Sequence, residues 1–386
     1  MLASPEDAAN AEMVDLFAGP GGLDVAATWL NINAIGIEID QNAWATRKAA
    51  GLSTMVSDVR DWSPADFPNA RILTGGPPCQ TYSVAGSGAG RDRLEAIRSL
   101  VRRMGANGPL SVEAALAEFD DVRTGLVLEP LKWAMLAMER GRPYEAIVLE
   151  QVPTVLPVWA EYVKVLRKMG YEAEAHVMRA EQFGVPQTRR RAILIARLDQ
   201  PLEWPESTHC QFVAGQREVS RDTGKLDWIP MHKVLEITGK FVVVSNYGTG
   251  GKPDLRGRRR FDEPAYTVTG KVSRNRILDL DGNYIRHVSV EDASRLQTFP
   301  LGYPWSGKDI AQQVGNAIPP RLAAHALCAA VYGEKPSAKM LDKAVAGTWE
   351  QAKANRLRLV PAAGAEMTGS LVSCGRSSDP EPSLIR

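Results

Sequence analysis

The 386-residue chain is poor in the residues that build metal and redox centres, with four cysteines and five histidines. Cys79, Cys210, Cys328 and Cys374 stand far apart and form no C-x-x-C pair. That excludes a disulfide scaffold and a clustered zinc site, and it fits a reducing compartment. His209-Cys210 is an adjacent pair, but no second ligand pair accompanies it. No run approaches the roughly 20 apolar residues of a membrane span. Residues Met1 to Asp7 lack the basic head and apolar core of a signal peptide. A soluble, cytoplasmic protein is expected. Internal repeats are absent. Lys and Arg are missing from residues 1–40, which hold seven acidic side chains. A phosphate-bearing ligand is disfavoured at such an acidic rim.

Apolar content is ordinary for a globular protein, and a chain this long buries enough surface to need no covalent staples. Its length predicts one large domain plus a smaller one. Net charge is +1, but it is unevenly spread. Residues 252–276 carry eight basic side chains against three acidic ones. Such a stripe reads either as a phosphate-binding face or as a solvated loop.

Short apolar strands alternate with helical segments through the first half. Strands are predicted at Val14–Phe17, Ala34–Asp40, Arg71–Thr74, Ala146–Glu150 and Ala192–Ala196, with helices at Leu23–Leu30 and Asn42–Ala50. This alternation predicts an α/β fold: a mostly parallel, Rossmann-like sheet covered on both faces. Residues 84–125 interrupt the rhythm. Gly86–Gly90 predicts a mobile loop, and the spacing of Leu94–Met104 and Val112–Phe119 predicts a helical insertion at about 93–118. Leu126–Arg140 predicts a helix with Pro130 in its first turns. The catalytic-type domain is drawn over 12–197. A small irregular domain follows at 198–262, rich in Trp, Pro, Gly and Thr, with one strand at Phe241–Ser245. Residues 263–333 are expected to return to the first domain, and 334–386 to form a partly disordered tail.

Five motifs carry possible chemistry. Asp15-Leu16-Phe17-Ala18-Gly19-Pro20-Gly21-Gly22-Leu23 is a glycine-rich turn between strand and helix, where backbone approaches a nucleotide-like ligand. Glu38 follows about 20 residues later, where an acid accepts ribose hydroxyls. Asp58 reads either as the acid at an adenine edge or as a helix N-cap. S-adenosylmethionine has no phosphate and a cationic sulfonium, and it suits this rim. In Gly75-Gly76-Pro77-Pro78-Cys79-Gln80, Cys79 is either a small buried hydrophobe or a nucleophile presented rigidly at the C-terminal sheet edge. Glu150, ending its strand before Gln151-Val152, is a general acid if burial raises its pKa, or a solvated strand-end acid. In Gln187-Thr188-Arg189-Arg190-Arg191, alternation puts Arg189 and Arg191 on one face, suited to a base edge or phosphates. The other reading is a surface basic turn. Finally, Gly315-Asn316 predicts a tight turn before the last helix, whose entry Pro319-Pro320 fixes.

The order of these motifs is more specific than any one of them. Over residues 12–333 the chain resembles the DNA (cytosine-5) methyltransferase family. The resemblance rests on Asp15–Leu23, Gly76–Gln80, Glu150-x-Val152, Gln187-x-Arg189-x-Arg191, Arg260–Thr269 and Gly315-Asn316. It departs from the family pattern at Gln151, usually Asn, and at Tyr82, usually Phe. The first departure predicts a looser hold on the nucleophile loop.

The resemblance implies methylation of cytosine C5 in double-stranded DNA with S-adenosylmethionine. Cys79 would attack C6, Glu150 would serve N3, and Arg191, with Arg189 behind it, would hold the O2 side. Phe17, Gly19, Gly21, Glu38, Asp58 and Asn316 would line the cofactor site. Residues 198–262 would read DNA, with Arg256–Arg260 on phosphates. A monomer in a prokaryotic or phage-infected cell is the expected state, and a restriction endonuclease companion stays open. Two alternatives also stay open: an RNA cytosine-5 methyltransferase, although the Cys-Phe-Thr signature of the tRNA-acting branch is missing, and a non-catalytic DNA-binding relative. An amino-methyltransferase would need an Asp/Asn-Pro-Pro-aromatic motif, which the chain lacks.

Overall fold

The computed structural model describes residues 2–78, 88–116, 122–215, 224–248, 256–354 and 359–361. Cys79 and the rest of 79–87 lie outside them.

The strands in chain order are β1 (Met13–Leu16), β2 (Ala34–Ile37), β3 (Thr54–Met55), β4 (Ile72–Gly75), β5 (Ala146–Gln151), β6 (Tyr171–Arg179), β7 (Gln187–Thr188) and β8 (Arg190–Leu198). Seven of them form one sheet in the order β3-β2-β1-β4-β5-β8-β6. Neighbours from β3 to β5 run parallel, and β8 runs antiparallel to both β5 and β6. The order turns outward from β1 in both directions, as expected of a doubly wound α/β fold.

Residues 146–151 and 192–196 are buried. Their successive side chains serve opposite faces. Val148, Ile193 and Ile195 pack with the helices Gly22–Trp29 and Pro320–Tyr332. Ile147, Leu149 and Leu194 pack with Glu129–Glu139, Leu156–Lys168 and Gly88–Asn107. The sheet is thus covered on both sides, which is why its strands read as continuous apolar runs.

The insertion docks on the rest of the domain. Ile97, Val101 and Met104 are buried at helical spacing. Beside them Arg98 and Arg102 both bond Glu161 Oε1, at 2.8 and 3.2 Å. Gly88–Gly90, expected in a loop, opens this helix. A short helix follows at Glu113–Leu116, and the helix expected from Leu126 starts at Glu129, after a 3₁₀ segment Val122–Leu128. Pro130 lacks an N–H and sits in its first turn.

A second sheet holds β9 (Phe241–Gly248), β10 (Arg256–Arg260), β12 (Arg276–Asp279) and β13 (Tyr284–His287), in the order β10-β9-β12-β13. The intervening β11 (Ala265–Tyr266) pairs with β7. The small sheet therefore runs to His287, past the boundary expected at 262. Phe241 and Val243 of β9 share one apolar core with Ile277 of β12, and this core holds the later strands with the earlier ones.

The expected tail also differs. Residues 334–354 form a short strand and two helices, Ala338–Ala346 and Trp349–Ala354. Leu341, Ala344, Val345, Trp349 and Ala352 join the large core. The apolar spacing there is helical but brief, and burial against the core makes it effective. Residues 362–386 lie outside the described residues. Among the described residues no helix is long and apolar enough to cross a membrane, and no three acidic, His or Cys side chains gather as a metal site.

Candidate active site

Sheet register brings the expected residues to one edge. Leu16 pairs with Ile37 on one side and Gly75 on the other, and Gly75 pairs with Leu149. The residues that follow are Glu38, Phe17, Gly76 and Glu150. They leave the sheet side by side at its C-terminal edge, where open α/β sheets bind ligands.

The glycine-rich turn is strongly bent. Phe17, Gly19 and Gly21 adopt φ of 59°, 54° and 103°. A side chain on Phe17 at positive φ is uncommon and marks a constrained segment. A Cβ built on Gly19 would meet nothing within 4 Å, so the turn is open on that side. Glu38 is buried, and each of its oxygens accepts a backbone N–H at 2.7 Å, from Gly19 and from Asp40. Burial pushes its carboxyl pKa up, partly offset by those two donors. Asp40 caps the helix Gln41–Ala50. Behind the turn, Arg47 forms a fully buried two-pronged pair with Asp24, at 2.7 and 2.8 Å. Its remaining donors reach Thr54 Oγ1 and Ser53 O. Asp15 is buried too and bonds Thr74 Oγ1 at 2.7 Å; burial and the neighbouring Asp24 raise its pKa well above the carboxylate range. The turn is therefore open, acid-edged and backed by a neutralised arginine, which fits a phosphate-free, cationic nucleoside.

Asp58 caps the 3₁₀ turn Val59–Asp61 through Arg60 N at 2.9 Å and pairs with Arg60 Nη2 at 2.7 Å. Of its two readings, the cap is the contact made in this structure. The Arg60 bonds hold its carboxyl below the usual range.

Cys79 itself lies outside the described residues, but the chain entering it is firmly held. A Cβ on Gly76 would lie 3.5 Å from Glu150 Oε2, an ordinary van der Waals contact, so the backbone here passes directly beside the acid. Gln151 Nε2 donates to Pro77 O at 2.5 Å, and Gln151 Oε1 accepts from Val152 N. The longer amide thus spans to the loop rather than releasing it. Glu150 Oε1 pairs with Arg191 Nε at 2.6 Å, and both side chains are mostly buried.

The two arginines expected on one face are separated. Arg189 sits between β7 and β8 and is completely buried. Its guanidinium donates to Val268 O, Gly315 O and Ala317 O, each at 3.0 Å. It fastens the small-sheet segment to the last motif, while Arg191 alone meets Glu150. Strand alternation fails here because the strand breaks at residue 189: Gln187–Thr188 pair with β11 and residues from 190 with β6.

Gly315 and Asn316 end the helix Ile310–Asn316 instead of forming a free tight turn. A Cβ on Gly315 would sit 2.5 Å from Gly270 N, so glycine permits this crossing. Asn316 is exposed, and its Oδ1 accepts from Gln312 Nε2 at 2.7 Å.

Sequence reasoning passed over three supports. Gln187 is buried; it donates to Leu296 O and Gln297 Oε1 and accepts from Val268 N. Arg47 looks like an ordinary helix cation. Tyr303 donates to Pro20 O at 2.6 Å across 283 residues of sequence. Only Gln187, inside a quoted motif, carried a signal.

A doubly wound sheet with a glycine-rich first turn, and with an acid–arginine pair beside a proline-stiffened loop, defines a Rossmann-like methyltransferase. Solved structures with this fold include the S. pombe Dnmt2 methyltransferase, with TM-score 0.53, 19% identity and coverage of 81% of this chain and 96% of that one. Entamoeba histolytica EhMeth matches with TM-score 0.51 at 16% identity, covering 83% and 97%. The profile of the C-5 cytosine-specific DNA methylases matches residues 11–102 and 110–330, and the chain belongs to that family. Its relatives include the type II methyltransferase M1.HphI of Haemophilus parahaemolyticus, 26% identical over 80% of this chain and 84% of the relative. Another is M.Eco47II of Escherichia coli, 26% identical over 81% and 76%. The chain is thus a DNA (cytosine-5) methyltransferase, of a class that generally draws its methyl group from S-adenosylmethionine.

Proposed function

We propose that the chain methylates C5 of a cytosine flipped out of double-stranded DNA, through a covalent bond from Cys79 to C6. The observation that carries this reading is the Glu150–Arg191 pair at 2.6 Å beside Gly76, three residues ahead of Cys79. Cytosine C5 is a poor nucleophile. Thiolate addition at C6 makes the ring enamine-like and raises electron density at C5. Glu150 bonds or protonates N3 as charge builds there, and Arg191 holds both Glu150 and the O2 side of the base. Arg189 acts from behind as a positioning residue, because its donors already serve three carbonyls. Once C5 carries the methyl group, loss of its proton to water restores the C5–C6 double bond and expels the Cys79 thiolate. A base in a duplex cannot enter such a site, so it must be extruded at a cost of a few kcal/mol.

S-adenosylmethionine supplies the methyl group. In this reading Phe17 packs on the adenine, Gly19 and Gly21 admit the methionine end, Glu38 takes the ribose hydroxyls, and Asn316 lines the pocket. Each Glu38 oxygen accepts one backbone N–H and keeps a lone pair for a hydroxyl. Asp58 Oδ2 accepts one bond, from Arg60 Nη2, and keeps a site for an adenine amine. The small sheet, with Arg256–Arg260 on β10, reads and grips DNA.

The test is duplex DNA carrying 5-fluorocytosine, incubated with S-adenosylmethionine. A covalent adduct should form at Cys79 and at no other cysteine, and Cys79→Ser should form none. A Ser variant that methylates at near wild-type rate would overturn the mechanism. Tritium transfer to tRNA but not to duplex DNA would overturn the substrate.

A further inference from the structure

The glycine-rich turn is held by Tyr303, and Tyr303 in turn meets a segment that lies beyond the family match, which ends at residue 330. Of the turn's three positive-φ residues Phe17 carries the strain, because glycine adopts that region freely, and surrounding structure must fix the bend. The Tyr303 hydroxyl donates to Pro20 O at 2.6 Å and stands 3.1 Å from where a Cβ on Gly21 would be. Tyr303 is itself caged by aromatic rings: Phe299 at 4.7 Å, Trp305 at 5.0 Å and Trp349 at 5.3 Å between centroids. The first two rings come from the same loop. Trp349 comes from the C-terminal helices. Its indole N–H donates to Ala50 O at 3.0 Å, where the helix bearing Arg47 ends. Backbone bonds from Leu301 N to Gly347 O, at 2.9 Å, and from Trp349 N to Leu301 O, at 3.0 Å, clamp the two segments together.

We infer that the C-terminal helices position the cofactor turn, with Trp349 acting on Tyr303 and Tyr303 on the Pro20 carbonyl. Both are positioning residues and neither touches the reacting atoms. A neutral hydroxyl-to-carbonyl bond steadies the turn, and an aromatic edge contact keeps the hydroxyl aimed. The expected signature is a weaker grip on the cofactor with chemistry unchanged.

The inference rests on the S-adenosylmethionine reading above. The test titrates S-adenosylmethionine calorimetrically into the full-length wild type, Tyr303→Phe, Trp349→Ala, Trp349→Phe and the Tyr303→Phe/Trp349→Ala pair, beside steady-state kinetics on unmethylated genomic DNA. Tyr303→Phe removes one bond and keeps the ring. It should weaken cofactor binding roughly three- to tenfold, with KM for the cofactor rising in step. The kcat at saturating cofactor and the KM for DNA should stay within about twofold. Trp349→Ala should match it, and Trp349→Phe should restore most of the loss. The double variant should be little worse than the worse single one, because the two residues act in series. Unchanged binding by Tyr303→Phe and Trp349→Ala in a wild-type background that does bind, or fully additive losses, would overturn the inference alone. A wild type that takes up no S-adenosylmethionine overturns the cofactor reading and the inference with it. If Trp349→Ala does not fold, Tyr303→Phe decides.

Discussion

In the large sheet, β5 is buried along its whole length, and the adjacent β4 and the β1 beyond it are buried with it. In the small sheet, β10 is an edge strand of exposed and half-buried residues, four of them arginines. A slip of one residue in the first sheet would exchange which side chains meet which core, so its register is tightly specified. That register aligns Glu38, Phe17, Gly76 and Glu150. On β10 the pairing with β9 shifts between Arg256 and Arg258, and the side chains find varied partners. Arg259 lies between the rings of Phe212 and Tyr266, at 4.3 and 4.4 Å, while Arg260 turns back to Asp262 at 3.1 Å. Burial gives the first region accuracy suited to bond-making, and exposure gives the second adaptable contacts suited to a polyanion.

Four experiments would break or sharpen this contrast. The largest effect is expected at the accurate edge. Glu150→Gln should lower kcat by about 10²–10⁴-fold with cofactor affinity intact. A fall of less than about tenfold would detach the acid from the chemistry.

Next comes the junction of the two regions. Arg189→Met leaves the Val268 and Gly315 carbonyls without this buried donor and Ala317 O with Gln297 Nε2 alone, and urea unfolding should show a loss of about 3 kcal/mol or more. Near-wild-type stability would mean that the two sheets hold together without this clasp.

Acid should act through the large core. Burial, with Arg321 nearby, lowers the pKa of His209 from 6.5 to about 4 and of His325 from 6.5 to about 3. The folded state disfavours their protons, so the stability they contribute is full above pH 6.5 and is lost as pH falls toward those values. Unfolding free energy should drop by about 2 kcal/mol per histidine between pH 7 and 5. His325→Phe should remove its share of that slope. His232 and His287, in the small-sheet region, are exposed. An undiminished slope in the variant would place the acid sensitivity elsewhere.

The smallest change is expected on β10. Arg256→Gln with Arg258→Gln should reduce the slope of log affinity for DNA against log salt by about 2, with thermal stability unaffected. An unchanged slope would turn the basic stripe into a solvated loop.

Much of the catalytic region was legible because its signals are local. Strands buried on both faces read as apolar runs, and Gly-Pro-Pro and glycine turns punctuate them. The misreadings share one cause. The separation of Arg189 from Arg191 depends on a strand that changes partner at residue 189. The small sheet extends to His287 because Ile277 finds the core of Phe241 and Val243. Residues 338–354 look like a tail until Leu341, Ala344 and Trp349 meet a surface that the rest of the fold supplies. Gln151 was expected to weaken the nucleophile loop, and the distance to Pro77 O, which only the fold sets, lets its longer amide span the gap.

By itself the sequence determined the α/β class, the order of the motifs and the family, since these follow from periodicity and from residues close along the chain. Tertiary structure alone decided which side chains meet. The Arg47–Asp24 pair, the reach of Tyr303 to Pro20 and the three carbonyls on Arg189 join residues 23 to 283 positions apart. Hydrogen bonds act over about 3 Å, and no local pattern encodes a partner brought there by the packing of distant elements.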